Sequence, residues 1–207
     1  MEREQAKRLF AQNFIGKEEL KPFFKALGFG EVDIQEKPIE YSDSELQNAA
    51  ENGYVLIFGV EHIKGVMITL RFLREKFGVN PDISEPCFYN QDWYLKEDFM
   101  DVCLNNQWFL IKKEVIDASR AVLPEDLIRR GMNFPPAILC AYTFFAYYFA
   151  RNEHLWWHDF VWCCDTDHNG DSIYVGKYHD VDGVNKNGFS IHRHLALRQC
   201  YGSVNLM

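Results

Sequence analysis

Hydrophobic side chains in the first 80 residues recur every three to four positions, which is the spacing of amphipathic helices. The exception is the run Tyr54–Val60, which is continuously apolar and therefore predicts a buried strand. Glycines at positions 16, 28 and 78 mark the ends of helical stretches. The pattern predicts a helical N-terminal subdomain over residues 1–80 that contains one buried strand. Its helices are expected at 2–14, 17–27, 42–51 and 63–77.

Turn-forming residues over 81–86 indicate an internal boundary, so residues 81–207 are predicted to form a second, α+β domain. Its first part predicts a helix, a strand and a helix. The run Ala137–Ala150 is apolar throughout, but it is shorter than the ~20 residues that a bilayer-spanning helix needs. It predicts a central buried helix, and the dense aromatic zone from Tyr142 to Trp162 is assigned to core packing. The elements before it are expected at 96–104, 108–113 and 115–122.

The last third of the chain changes to a strand-like pattern. Residues 160–167 and 172–180 are rich in β-branched and aromatic side chains, and Asn169–Gly170 between them is a strong hairpin signal. Residues 189–195 alternate well enough to form a third strand. The pattern predicts an antiparallel β-meander over residues 158–198, packed on the central apolar helix.

The predicted turn also decides which side chains share a face of the hairpin. With Asn169 and Gly170 as a two-residue loop, Trp162 lies opposite Lys177 and Cys164 lies opposite Val175. One face is then expected to be core, and it carries Phe160, Trp162, Cys164, Thr166, Ile173, Val175, Lys177 and His179. The other is expected to be a half-polar surface, and it carries Val161, Cys163, Asp165, Asp167, Ser172, Tyr174 and Tyr178.

The half-polar face supplies the candidate binding residues. It is flanked by aromatic side chains, and the chain contains no complete catalytic motif such as a phosphate-cradling glycine loop or a Gly-x-Ser-x-Gly elbow. A ligand or a protein partner is therefore expected on the hairpin and loop surface of residues 165–194. The residues predicted to contact it are Asp165, Asp167, Tyr174, Tyr178 and His192.

Histidines are concentrated in the same region, with six of the seven between positions 154 and 194. His154 and His158 would share one face of a helix, and His192 and His194 one face of a strand. Two interpretations stay open: histidines without shared geometry, or a site for zinc or another divalent metal in a hydrolase whose metal-bound water is the nucleophile. The predicted metal ligands are His179, His192, His194, Asp165 and Asp167.

Composition narrows the function classes. The 30 acidic residues outnumber the 22 basic ones, which are scattered, and nucleic-acid binders usually carry a basic stripe instead. No apolar stretch follows the charged N-terminal residues, so no signal peptide is predicted. The six cysteines are interpreted as reduced thiols. We expect a cytoplasmic protein without a nucleic-acid or membrane partner.

Three short segments of the second half resemble bacterial C-type-lectin-like domains. They are Trp93-Tyr94-Leu95, then Phe160-Val161-Trp162 before a hairpin, then 186–191 ahead of a closing basic strand near Arg198. The resemblance implies that fold for about the last 115 residues. The calcium motifs of the sugar-binding members are missing, since Glu85-Pro86 is followed by Cys87. The resemblance therefore does not imply carbohydrate binding.

Together these patterns predict an α+β protein, most simply a non-enzymatic domain that binds a ligand or a protein, and the resemblance implies that it is bacterial. The alternative is a metal-dependent hydrolase that uses the histidines and aspartates of residues 154–194. The two hypotheses differ in whether those side chains converge in space.

Overall fold

The computed structural model describes residues 1–179, 187–193 and 197–207, and for Tyr178 and His179 it describes the backbone alone. Helices and strands in open sheets both contribute, so the predicted α+β class is confirmed. The helices are α1 (Arg3–Phe10), α2 (Lys17–Ala26), α3 (Asp43–Glu51), α4 (Leu70–Phe77), α5 (Pro124–Arg129) and α6 (Ala137–Arg151). Short 3₁₀ turns cover Ala11–Asn13, Asp98–Asp101 and Asp117–Ser119.

The described strands form three sheets. The three-stranded sheet has the order β1-β2-β5, the two-stranded sheet pairs β3 with β4, and the four-stranded sheet has the order β8-β7-β6-β9. The strands are β1 (Phe14–Ile15), β2 (Tyr54–Gly59), β3 (His62–Ile63), β4 (Val66–Met67), β5 (Gln107–Lys112), β6 (Phe160–Thr166), β7 (Ser172–His179), β8 (Asn187–His192) and β9 (Tyr201–Gly202).

The N-terminal predictions hold for α1, α2, α3 and the buried strand β2. Every residue of β2 is buried, because it lies in the middle of its sheet between β1 and β5. β2 pairs antiparallel with β5, so this sheet joins residues on either side of the boundary predicted near residue 81. One continuous hydrophobic cluster likewise includes residues from Ala6 to Val204.

Three predicted helices differ from the structure. The stretch 63–77 begins as a hairpin through β3 and β4, because Lys64 and Gly65 adopt positive φ, and only α4 is helical, with the Thr69 hydroxyl capping its first turn. The stretches 96–104 and 115–122 contain only 3₁₀ turns. Their few apolar residues at helical spacing pack into the core without a hydrogen-bonded helix.

α6 is the central helix that the apolar run predicted. Residues 137–147 are all buried, as a helix that is apolar around its circumference requires. The helix packs against α2, β6 and β7. The Phe145 ring stacks on that of Phe77 with centroids 4.2 Å apart, and the Tyr142 hydroxyl donates to the Phe58 carbonyl at 3.1 Å. Within the described residues no helix combines the length and hydropathy needed to cross a membrane.

The meander β6-β7-β8 is antiparallel as predicted, but the predicted hairpin register is wrong. Trp162 lies opposite Tyr174 rather than Lys177, and Thr166 lies opposite Ser172. The loop is longer than two residues because the Asp167 carboxylate accepts hydrogen bonds from the amides of Asn169 and Asp171, and a bulge between Trp162 and Thr166 shifts the pairing again.

The register change moves side chains between faces. One face packs on the main hydrophobic cluster with Val161, Cys163, Ile173 and Val175. The other forms a second buried cluster, so the half-polar surface predicted for the face of Tyr174 is not present there. The buried residues of the second cluster are Leu127, Phe134, Phe160, Trp162, Tyr174 and Tyr201.

Candidate binding site

Asp165 lies at the end of β6 and caps a helix. Its Oδ2 accepts a hydrogen bond of 2.6 Å from the amide of Ala137, the first residue of α6. Burial raises the pKa of the Asp165 carboxyl, and the hydrogen bonds from the backbone oppose that shift. The capping residue Pro136 has no side-chain hydrogen bond of its own, so β6 supplies the acceptor that the helix start needs. The carboxylate of Asp165 therefore has a structural role in α6.

Asp167 organises the hairpin loop. Its Oδ1 accepts from the amides of Asn169 at 2.8 Å and Asp171 at 3.0 Å, and its Oδ2 pairs with the guanidinium of Arg193. Burial would raise the pKa of Asp167, but these hydrogen bonds and the charge of Arg193 outweigh it and lower the pKa to about 2. The carboxylate is thus ionised and already bound by groups of the protein.

Asp165 and Asp167 do line one cleft, of about 340 Å³, which the hairpin forms with the segment around Asp98–Asp101. The buried Glu97 carboxylate in this cleft accepts from the His168 amide at 2.8 Å and from the His168 ring Nδ1 at 2.7 Å. Each of these carboxylates therefore has a partner within the chain. The cleft brings two predicted residues together, but it leaves little unsatisfied chemistry for a ligand.

Tyr174, a member of the second buried cluster, and His192 face each other across β7 and β8. Their rings stack with centroids 5.5 Å apart, and His192 Nδ1 lies 3.2 Å from the Gln91 side-chain nitrogen. Tyr174 is only 1% exposed. Burial lowers the pKa of His192 to about 4, so the imidazole is neutral at physiological pH. Tyr174 therefore lies in the interior and not on the half-polar face that the wrong register predicted.

Three of the five predicted metal ligands have described side chains, namely His192, Asp165 and Asp167. His194 lies outside the described residues, and so do the side chains of Tyr178 and His179. Among the side chains that are described, no group of three or more histidines, cysteines, aspartates or glutamates is placed to hold a metal ion. His154 and His158 do not share a helix face, because α6 ends at Arg151.

The segment that follows α6, residues 152–159, has an unusual backbone. We call it the Trp157 loop. Asn152, Trp156 and His158 all adopt positive φ, at 56°, 49° and 63°. Such a conformation is uncommon for a residue other than glycine and strained for a bulky one, and strain of this kind concentrates at functional sites. Trp157 lies between two of these residues and is 46% exposed.

A buried ion cluster lies against this loop. The Lys177 ammonium is fully buried and donates to Glu85 Oε1 and to Asn187 Oδ1, both at 2.8 Å. It also lies 5.0 Å from the centre of the Trp157 ring. His154 Nε2 lies 3.2 Å from the same Glu85 oxygen. The cluster thus links the loop to β7, to β8 and to the segment before Pro86.

The Glu85 carboxylate is the accessible member of the cluster, since about a third of its side chain is exposed. Burial alone would raise the pKa of Glu85. The hydrogen bonds and charges of His154 and Lys177 outweigh that effect, so the pKa lies below its ordinary value. Glu85 therefore offers an ionised acceptor that is bound to the same Lys177 ammonium that lies over the Trp157 ring.

Two nitrogen atoms beneath the loop have no hydrogen-bond partner among the described residues. They are His154 Nδ1 and Trp156 Nε1, and both are buried. The His154 ring is stacked on Tyr148 at 4.5 Å and contacts Trp157 at 5.2 Å between centroids. A buried donor that stays unsatisfied costs about 1–3 kcal/mol.

The loop also forms one wall of a cleft of about 270 Å³. Ion pairs surround the cleft: Arg120 bonds both oxygens of Asp159 at 2.6 and 3.1 Å, and Lys113 pairs with Glu153 at 2.7 Å. These pairs fix the two ends of the loop to the preceding part of the chain. The Trp157 ring is therefore held between two clamped ends.

Two thiols, those of Cys87 and Cys164, have raised pKa values. Burial raises the pKa of Cys87, which lies near Glu85, to about 11, and it does the same for Cys164. A thiol with that pKa stays protonated at neutral pH. The arrangement around the Trp157 loop has hydrogen-bonding and stacking groups.

The sequence indicated only part of this site. The aromatic pattern predicts core packing for both Trp156 and Trp157, which is correct for Trp156 alone. Lys177 was placed on the core face of the hairpin, and its burial is confirmed, but its partner Glu85 lies 92 positions earlier in the sequence. A lysine on the predicted core face is the sequence signal that indicates a buried ion pair.

No protein-family model matches the chain, and searches of curated proteins and of solved structures returned no significant match. The resemblance to C-type-lectin-like domains therefore stays a prediction.

Proposed function

We propose that this protein is a non-enzymatic binding domain whose ligand contacts the Trp157 loop. The observation that carries the proposal is the half-exposed Trp157 ring, presented between two non-glycine residues at positive φ. Exposing a large aromatic ring to water and holding the backbone in a strained conformation both cost free energy. Neither feature stabilises the fold, so a role in binding accounts for them. The binding class is the one predicted from the sequence, and the proposed contact surface moves from the hairpin face to the loop beside Lys177.

The neighbours of Trp157 indicate the chemistry of the ligand. Lys177 covers one face of the indole, so a ligand stacks on the remaining exposed surface. Glu85 beside it accepts a hydrogen bond from an amine, amidine or hydroxyl group. The site therefore fits a compound with a flat or apolar group and an adjacent hydrogen-bond donor.

Indole N–H signals in NMR spectra test this proposal. Benzamidine, benzyl alcohol and glucose serve as probes, and the signal of Trp157 is identified by its loss in Trp157→Phe. At least one probe is expected to shift the Trp157 signal saturably, and the shift of the remaining signals should disappear in Trp157→Ala. Ile128→Ala, which truncates a side chain that is 56% exposed elsewhere, is the matched control. Probes that shift no indole signal, or shifts that survive Trp157→Ala, contradict the proposal.

The metal-dependent hydrolase stays a prediction for the histidine-rich region. Elemental analysis of purified protein before and after treatment with a chelator tests it directly. About one equivalent of zinc or another divalent metal per chain, with thermal stability lost on chelation, would support the hydrolase hypothesis. A protein without metal that does not respond to the chelator would remove it.

A further inference from the structure

A second cleft, remote in sequence from the Trp157 loop, has a different chemical character. It has a volume of about 410 Å³, within the range of small-molecule sites. We call it the amide cleft, because three asparagine side chains line it together with a phenol and two cations. These residues are Asn48, Asn52, Tyr54, Lys112, Arg130 and Asn205.

The charge of the amide cleft is opposite to that of the whole chain. Lys112 and Arg130 line it, and no aspartate or glutamate of the described residues does. The chain as a whole carries a formal net charge of −8. A locally cationic cleft on an acidic protein attracts an anion and not a cation.

The two cations are not neutralised by carboxylates. The Arg130 guanidinium makes no hydrogen bond or ion pair with the side chains and backbone of the described residues, and only the Arg130 backbone amide is bonded, to the carbonyls of Asp126 and Leu127. Lys112 donates from Nζ to the Asn52 carbonyl oxygen and lies 5.4 Å from the centre of the Tyr54 ring. Two of its three donor hydrogens therefore stay available, in contrast to Arg120 and Lys177, which are bound by carboxylates.

Donor hydrogens remain on the amides and on the phenol after the hydrogen bonds within the cleft are made. Asn205 Oδ1 accepts from the Asn133 amide at 3.0 Å, which leaves its amino group directed to the Tyr54 hydroxyl at 3.4 Å. Asn52 donates to the carbonyl and side-chain oxygens of Asn48 at 2.8 and 3.0 Å, which leaves the Asn48 amino group as a donor. The cleft thus offers neutral N–H and O–H donors around two cationic ones.

We propose that the amide cleft binds a small oxyanion ligand, a molecule that carries a phosphate or carboxylate group. Arg130 supplies the fork-shaped donor pair that matches a phosphate or carboxylate, and Lys112 supplies a point charge. Tyr54 and the asparagines complete the hydrogen bonds to the remaining oxygens. This site is independent of the Trp157 loop, and it stands whether or not that loop binds a ligand.

Calorimetric titration of the whole chain at low ionic strength tests the site, with inorganic phosphate and citrate as probes and chloride as the salt control. Arg130→Met combined with Lys112→Met is expected to weaken binding at least about tenfold, since each removes a charge-assisted contact. Arg8→Met combined with Lys76→Met removes the same charge from other surface positions, and it should change the affinity less than about twofold.

Two further variants keep the result interpretable. Arg130→Met alone leaves the partly buried Lys112 in place, and Tyr54→Phe removes only a hydroxyl group; each should weaken binding severalfold with unchanged thermal stability. Saturable binding of phosphate and citrate together supports an oxyanion site, and binding of one of them alone supports it and names the ligand group. No saturable binding of either probe, or an equal loss in the Arg8→Met/Lys76→Met control, overturns the proposal.

Discussion

α6 and the Trp157 loop follow each other directly in the chain, yet they differ in burial and in backbone conformation. α6 is buried, apolar and internally hydrogen-bonded. The loop after it has positive φ at three residues that are not glycine, buried nitrogens without described partners and a half-exposed tryptophan. The comparison indicates a division of labour in which the helix stabilises the fold and the loop it carries is available for binding.

Removing a core aromatic ring from α6 should have the largest effect. Phe145→Ala creates a cavity between Phe77, Phe88 and Phe189, and it is expected to lower the free energy of unfolding by about 3–5 kcal/mol. Equilibrium unfolding in guanidinium measures the change. Phe145→Leu should lose much less, and a loss below about 1 kcal/mol for the alanine variant would mean that α6 is not the stabilising core.

The buried ion cluster, which His154 of the loop contacts, is expected to stabilise the fold. Lys177→Met leaves Glu85 without its buried counter-charge, and a loss of about 2–3 kcal/mol is expected. Lys177→Met combined with Glu85→Leu should recover most of it, because the uncompensated carboxylate is then gone. Thermal and denaturant unfolding of the three proteins gives the comparison, and equal losses in the single and double variants would show that charge compensation is not the cause.

The dependence of stability on acid pH tests a third place in the molecule, the His192 ring that stacks on Tyr174. His192 stays neutral in the folded protein down to its pKa of about 4, whereas the unfolded chain takes up the proton near 6.5. The unfolded state therefore binds more protons in this window, so stability falls with falling pH by up to about 1.4 kcal/mol per pH unit. His192→Gln should show a shallower slope between pH 6.5 and 4. An unchanged slope in that variant would assign the acid sensitivity to other groups.

The contact between β6 and the start of α6 is worth less. Asp165→Ala removes the acceptor for the Ala137 amide, and a loss of about 1 kcal/mol is expected, as for other helix caps. Asp165→Asn keeps an oxygen acceptor at the same place and should lose only a fraction of that amount. Urea unfolding of both variants measures the difference. If both lose equally, the carboxylate charge and not the cap is responsible.

The exposed tryptophan should affect stability least. Trp157→Phe keeps an aromatic ring over Lys177, so the free energy of unfolding is expected to change by less than about 0.5 kcal/mol. The same variant should greatly reduce quenching of the protein's fluorescence by acrylamide, because the described side chains of the other tryptophans are more buried. A large loss of stability would assign Trp157 to the core and weaken the contrast with α6.

Sequence patterns predicted the elements whose signals are local. The continuous apolar run gave α6 its central place, and the run from Tyr54 became the buried strand β2. The meander and the approximate place of its turn were also predictable, because Asn-Gly needs only local backbone preferences. These features depend on residues within a few positions of one another.

The hairpin register could not be predicted from the local sequence. A side chain, that of Asp167, captured two amides and lengthened the loop, and a bulge then changed the pairing again. Because side chains alternate between faces, that change moved Tyr174 from the predicted half-polar face into a buried cluster. Hydrogen bonds from a side chain to nearby backbone amides compete with the two-residue turn. The sequence pattern does not show which of the two arrangements is more stable.

The candidate sites depended on tertiary structure alone. The sequence by itself determined the α+β class, the apolar helix and the abundance of acids, histidines and aromatic residues. Only the fold decided that Lys177 would meet Glu85, and that Arg130 would share a cleft with Asn48 and Lys112. The physical reason is that ion pairs and clefts form between segments far apart in the sequence, and their energies become defined only when packing brings those segments together.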